Sequence, residues 1–388
     1  MNHPILDPNL RTFPEFSLAR LLRTVFEPTE GMKICILIDL ENPEQSRDFG
    51  FLSEPNLQIQ KYAYEIFFQG LQNGVMQELG MSGGELFAYP LSGGSNLNLQ
   101  DRAIRSDGHS VSLEKDVYPN YDIILCISTF SATAPLTAFA KKYGFRGATL
   151  HGLNETIIRT GLSVDYKEVS SDAEKLRLAL TRADEIEIDF TIADTHTMTC
   201  KLILNGQEAQ KSHGLCLGRN PDIANLPAGE VYFVPHGAEG QFPLKYDDGS
   251  LGVLDLSKGS IVRATLVEGN QTTIDNHNAK LQADPMTGVL GELGFGTQVL
   301  PVSGADIQDE KILGTCHLAT GRDDHLGGQI TPDLFKQHQN ATHDDILFAP
   351  HKTPNFDIAQ VRMTRGTQKE VLIEHFRPMP YLVDALSS

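Results

Sequence analysis

The sequence predicts a two-domain α/β protein. Residues 1–170 form an N-terminal α/β domain with a largely parallel sheet, and residues 171–388 form a C-terminal, β-rich α+β domain. Three observations carry this reading. The first third alternates compact apolar runs with helical patterns, the arrangement that covers a parallel sheet with helices. Near residue 170 the texture changes to strand-like segments separated by Gly and Asn. The length, 388 residues, exceeds one ordinary core and suits two.

Taken in order, residues 33–40 (KICILIDL) read as a buried strand. A helix is expected from Leu57 to Leu79, where Tyr62, Ile66 and Val75 recur near helical spacing. LFAYPL (86–91), DIILCIS (122–128) and GATLHGL (147–153) are further strands, with a helix from Pro135 to Tyr143 ended by Gly144. Ser171 to Glu174 has the spacing of a capping box, opening a helix with Leu176, Leu180 and Ala183 on one side. The second domain then offers EIDFTIAD (187–194), TMTCKLILNG (197–206), GEVYFVP (229–235), LGVLDLS (251–257) and SIVRATLVEG (260–269) as strands.

A net charge of −18 repels phosphate backbones and anionic lipid, so neither nucleic acid nor membrane is an expected partner. The five cysteines (Cys35, Cys126, Cys200, Cys216 and Cys316) are widely spaced and form no C-x-x-C, which argues against a disulfide framework and a thiolate zinc site. The N-terminal stretch lacks the basic start and apolar core of a signal peptide, and no apolar run is long enough to span a bilayer, so the cytoplasm is the expected location.

Two glycine pairs, in Met81-Ser-Gly-Gly and Leu91-Ser-Gly-Gly-Ser, superficially suggest phosphate loops. Neither has the lysine of a P-loop or the spacing of a dinucleotide fold. Gly291-Glu-Leu-Gly-Phe-Gly places a carboxylate where phosphate would sit. No G-x-S-x-G elbow supports a serine triad.

Ligand-type residues instead crowd into residues 225–350. Glu230 follows a Pro-Ala-Gly turn at the start of an apolar strand, where a carboxylate loses hydration unless paired. Glu292 sits among glycines that let the backbone approach something closely. His317 lies in a strand of small and apolar residues, with Cys316 on the opposite face as packing. In an extended Thr342-His-Asp-Asp segment, His343 and Asp345 share one face and Asp344 takes the other. Each feature alone is common. Together, imidazoles with carboxylates suit zinc, cobalt, manganese or iron, and the second domain is therefore read as metal-binding. Two metals with a shared carboxylate and water would polarise a carbonyl and generate a nucleophile near neutral pH.

With these segments aligned, the C-terminal half resembles the aminopeptidase T/aminopeptidase S family of metallopeptidases. The resemblance rests on N-L-P-x-G-E-V (225–231), G-E-L-G-x-G-T (291–297), D-E-K-x-L-G-T-x-H-x-A-x-G (309–321), G-G (327–328) and H-x-D (343–345). It implies a two-metal aminopeptidase acting on a small peptide or related amide, and a homodimer. The ligands it implies are Glu230, Glu292, His317, His343 and Asp345, with Glu292 as the bridge. Glu292 or Glu310 would assist proton transfer. The peptidases carry a tyrosine seven residues after the first ligand histidine; here Asp324 stands there, and Arg322 or His325 are the nearest substitute donors. The same scaffold resembles the dihydroxypyridine ring-cleaving dioxygenases, which use one iron with two histidines and a carboxylate. That is the rival reading. A non-catalytic relative is the third, prompted by the missing tyrosine.

Overall fold

The computed structural model describes residues 11–192 and 196–387. Residues 193 and 194, at the end of one predicted strand, and most of the N-terminal stretch read above for a signal lie outside the described residues. The chain forms two compact units of mixed α/β class. The first comprises the chain up to Ser170 with His213–Ala228 and Ser303–Gln308; the second comprises Ser171–Ser212, Gly229–Val302 and Asp309–Ser388. Two segments inside the span expected for the second domain therefore belong to the first unit. One of them supplies the strand Asp222–Asn225, which pairs in parallel with Arg146–His151 and so extends the first sheet.

In the first unit five parallel strands run in the order Asp222–Asn225, Arg146–His151, Ile123–Ser128, Lys33–Leu40 and Ser82–Pro90, and two short antiparallel strands complete one edge. Lys33–Leu40 is central, and every residue after Lys33 is buried, as both faces of a parallel sheet require. The helix Thr133–Tyr143 ends where Gly144 adopts a left-handed φ of 86° and its N–H bonds back to the Ala140 carbonyl. The first glycine pair opens the Ser82–Pro90 strand beside a register shift opposite Ile34 and Cys35, so it forms a bulge.

Two expected helices differ. The Leu57–Leu79 stretch is helical in pieces, broken where Gly74 takes a φ of 117°. Its buried stripe is Gln60, Ala63, Phe67 and Leu71, while Tyr62, Ile66 and Val75 are half-buried. The second helix runs Tyr166–Leu180, six residues earlier than the capping box implied. Asp165 caps it by accepting from the Lys167 N–H at 2.8 Å, which satisfies an otherwise orphaned donor. Glu174 instead pairs with Arg177 and Lys211.

The second unit holds two antiparallel sheets. The larger has eight strands, among them Glu185–Ile192, whose EIEIDFTI alternation is matched residue by residue in burial. The smaller runs in the order His343–Phe348, Cys316–Gly321, Leu290–Gly296, Glu230–Phe233 and Gln210–Ser212, and it carries the ligand-type residues. All five cysteines are buried and free. Among the described residues no helix is long and apolar enough to cross a membrane.

The approach to the His343 strand is held by a buried carboxylate. Asp284 Oδ2 accepts from the Lys336 N–H (3.0 Å), the Gln337 N–H (3.4 Å) and Asn340 Nδ2 (3.0 Å). Asp284→Ala should destabilise the protein by about 2 kcal/mol, because hydrogen bonds to a charged acceptor are the strong kind. It should also accelerate proteolytic cleavage within residues 331–342. Unchanged cleavage and an unchanged urea midpoint would contradict this anchoring role.

Candidate metal centre

The ligand-type residues share one face of the five-stranded sheet because their strands are in register. Cross-strand partners lie on the same side, as do residues two apart along one strand. Glu292 pairs with Ala319 and Ala319 with Asp345; Gly294 pairs with His317, Gly296 with Glu230, and Gly321 with His343. The face thus alternates a ligand-type side chain with a glycine or alanine. The small residues vacate the volume into which the ligands lean. A Cβ on Gly294 would lie 2.1 Å from His317 Cε1, so the imidazole rests directly on that glycine. Gly291 is the bulge residue of its strand, opposite the register shift between Leu290 and Glu292. The glycine-rich run serves steric fit rather than phosphate binding.

The histidines converge on Glu292. His343 Nε2 lies 3.0 Å from Glu292 Oε2 and 3.3 Å from Asp345 Oδ1. His317 Nε2 lies 3.5 Å from Glu292 Oε1 and 3.7 Å from Glu230 Oε2. His343 Nδ1 is 2.6 Å from the Arg322 carbonyl, which can only accept. Nδ1 therefore carries a proton and Nε2 faces the carboxylates, the orientation in which a histidine binds a metal. His317 Nδ1 is buried with no hydrogen-bond partner. Asp345 has a side chain 32% exposed and marks the open side of the cluster. Asp344 points away, accepting from Thr342 Oγ1.

Three overlapping groups bring ligand atoms within 4.8 Å of one another: Glu230, Glu292 and His317; Glu292, His343 and Asp345; and Glu310, His317 and Asp345. All six residues singled out in the sequence are therefore assembled in one place. The donor set is oxygen and imidazole nitrogen with no thiolate, suited to a hard or borderline divalent ion. Cys316 packs on the opposite face of its strand, where burial pushes its thiol up.

Charge divides the carboxylates into different roles. Burial works to raise Glu292, but hydrogen bonds from His317 and His343 hold it well below the usual range, so it stays ionised. Burial raises Glu310 to about 8, against the pull of Lys311 and with the push of Asp345, so it can hold a proton near neutral pH. His317 is pulled down by burial, yet Glu292, Glu310 and Glu230 together lift it to about 10.

Two side chains here were underread in the sequence. Lys311, quoted only as part of the D-E-K stretch, is fully buried against Glu230 and Glu310. Its signal was a lysine running straight into an apolar Ile-Leu pair. Arg322, considered as a substrate donor, instead clasps Asp324 through Nε (2.5 Å) and Nη2 (3.1 Å) and orients His343 with its carbonyl. Asp324, where the peptidases keep tyrosine, is thus committed to Arg322. His325 stands edge-on to His343 with ring centroids 4.9 Å apart, and burial lowers it to about 3, keeping it neutral. Gly328 packs against the Asp323 carboxyl, which explains the second glycine of the G-G pair.

No protein-family model matches the chain, and no curated protein matches it. A solved structure does. The chain is similar to 2,5-dihydroxypyridine dioxygenase from Pseudomonas putida KT2440, with a TM-score of 0.57 over 93% of this chain and 95% of that one, at 13% identity. The two proteins share a fold. The likeness falls on the scaffold given above as the rival to the peptidase reading.

Gly294→Ala should weaken divalent metal binding at least tenfold in calorimetric titration, since His317 must leave its position. In chelator-treated protein, the stability owed to His317 is present in full below pH 6.5 and declines as pH rises toward about 10. Melting temperature in EDTA should therefore fall across that window, and added metal should offset the fall. A flat profile would argue that the imidazole is not held by these carboxylates.

Proposed function

We propose that this chain is a metal-dependent oxygenase that cleaves a hydroxylated aromatic ring. The observation that carries the reading is the Glu292, His343 and Asp345 group, with the His343 Nε2 freed toward the carboxylates by the Nδ1 bond to Arg322. The likeness in fold to a ring-cleaving dioxygenase supports it.

Glu292, His343 and Asp345 would hold the ion, with His317 beside it as a further imidazole donor. A bound iron-type ion supplies activation of dioxygen and polarisation of a substrate hydroxyl. The chain's own residues do the rest. Glu292 remains a carboxylate, so it serves as ligand rather than acid. Glu310, able to carry a proton near neutrality, would take one from a ring hydroxyl and return it. Asp345, partly exposed, marks the side from which a small planar substrate enters. The ring gains both oxygen atoms and loses one carbon–carbon bond.

A two-metal aminopeptidase-like hydrolase is the second reading. Glu292 belongs to two overlapping donor groups, as a bridging carboxylate would. The sequence motifs favour it, whereas the commitment of Asp324 to Arg322 deprives it of the tyrosine-position donor.

Protein loaded anaerobically with ferrous iron should consume oxygen in equal amount to a dihydroxypyridine or dihydroxybenzene, with loss of the ring absorbance. His343→Ala should abolish this, a loss of at least a thousandfold. Amine release from aminoacyl anilides by zinc- or cobalt-loaded protein, without oxygen uptake, would overturn the oxygenase reading in favour of the hydrolase.

A further inference from the structure

We propose that His325 is a substrate-positioning residue of this centre, its Nε2–H donating to a ring oxygen of the aromatic substrate that is not bound to the metal. The inference rests on the oxygenase reading above and deepens it by giving the substrate's second oxygen a partner.

A short closed loop holds this imidazole in place. Asp323 ties the loop to itself: its N–H donates to the Ile330 carbonyl (3.1 Å), and its own carbonyl accepts from the Leu326 N–H (2.9 Å) and the Gly328 N–H (3.1 Å). Its Oδ1 accepts from the Ile330 N–H at 2.6 Å. Gly327 turns the chain with a φ of 92°, and a Cβ on Gly328 would lie 2.1 Å from Asp323 Cγ. Asp324, the residue before His325, is clasped by Arg322. The ring so held stands at 87° to His343 with centroids 4.9 Å apart, and the charge of Glu292 reaches it. It therefore lies beside the donor cluster and belongs to none of the three ligand groups.

The fold makes no use of its buried nitrogen. Among the described residues nothing hydrogen-bonds His325 Nδ1, which is sealed from solvent. For packing alone a phenyl ring would fill the space without desolvating a polar atom. A neutral imidazole carries one proton on one of its two nitrogens. On Nδ1 that proton would form a buried N–H with nothing to accept it, which proteins avoid. On Nε2 it faces the open part of a half-buried residue. The ring is thus a hydrogen-bond donor toward the site. An ionised ring oxygen is the acceptor that suits it, because a charged acceptor makes the stronger bond. A substrate with a single hydroxyl would leave the donor unfilled.

The test measures binding rather than turnover. Protein loaded with Co2+ under argon is titrated with phenol, catechol, resorcinol and hydroquinone, followed by the cobalt absorption. Wild type should bind at least one of the diols about tenfold more tightly than phenol, the size of one hydrogen bond to a charged group. His325→Phe, which keeps the ring shape, should lose that preference while binding phenol and Co2+ as wild type does. His325→Gln, whose amide N–H reaches the Nε2 position, should keep it; His325→Asn, which reaches only the Nδ1 position, should not. A preference that survives in His325→Phe, loss of Co2+ from that variant, or no preference in wild type would each refute the proposal. If His325→Phe does not fold, the Gln and Asn variants decide, and equal diol affinities in the two refute it. Ferrous protein that shows the His325-dependent preference yet consumes no oxygen would remove the oxygenase reading and leave this role standing.

Discussion

A carboxylate buried between two imidazoles organises the second unit. Glu292 is 4% exposed, and an ionised group at that depth is tolerated only when it is paired and hydrogen-bonded. Its two oxygens face different histidines, His317 on one side and His343 on the other. That requirement fixes which strands must be neighbours, because His317 and His343 arrive on consecutive antiparallel strands beside the one bearing Glu292. A slip of one residue in either pairing would turn an imidazole to the opposite face.

The surrounding polar groups limit what the cluster can exchange with solvent. Arg322 is divided between its Asp324 partner and the His343 ring, so one residue both neutralises the nearby acid and sets the tautomer of a ligand-type histidine. Lys311 offsets two of the carboxylates from beneath, while Asp345 remains the partly exposed member. The site is therefore charged in its depth and open on one side.

Glycine has two jobs in this molecule that look alike in the sequence. In Ser82–Pro90 the pair Gly83 and Gly84 has positive φ and forms a bulge. In Leu290–Gly296 the strand glycines make room for other groups: the His317 ring against Gly294 and the Lys311–Ile312 backbone against Gly296. The first job is conformational and the second is steric.

The sequence by itself determined the α/β class, the buried strand at Lys33–Leu40, and the ligand-type residues, because these depend on local alternation and residue chemistry. H-x-D on a strand puts both side chains on one face whatever the rest of the chain does, and His343 and Asp345 lie 3.3 Å apart accordingly. Elements that depend on a competing local signal were less legible. The Ser171–Glu174 box lost to Asp165, and Gly74 broke a helix whose apolar spacing looked continuous. Two short segments distant in sequence joined the first unit, which no local pattern encodes. The tertiary structure alone decided the roles within the site. Lys311 becomes a buried counter-ion, burial lifts Glu310 and two imidazoles hold Glu292 low, all through the distances between strands far apart in the chain. Those distances set desolvation and Coulomb energy, and residue type does not.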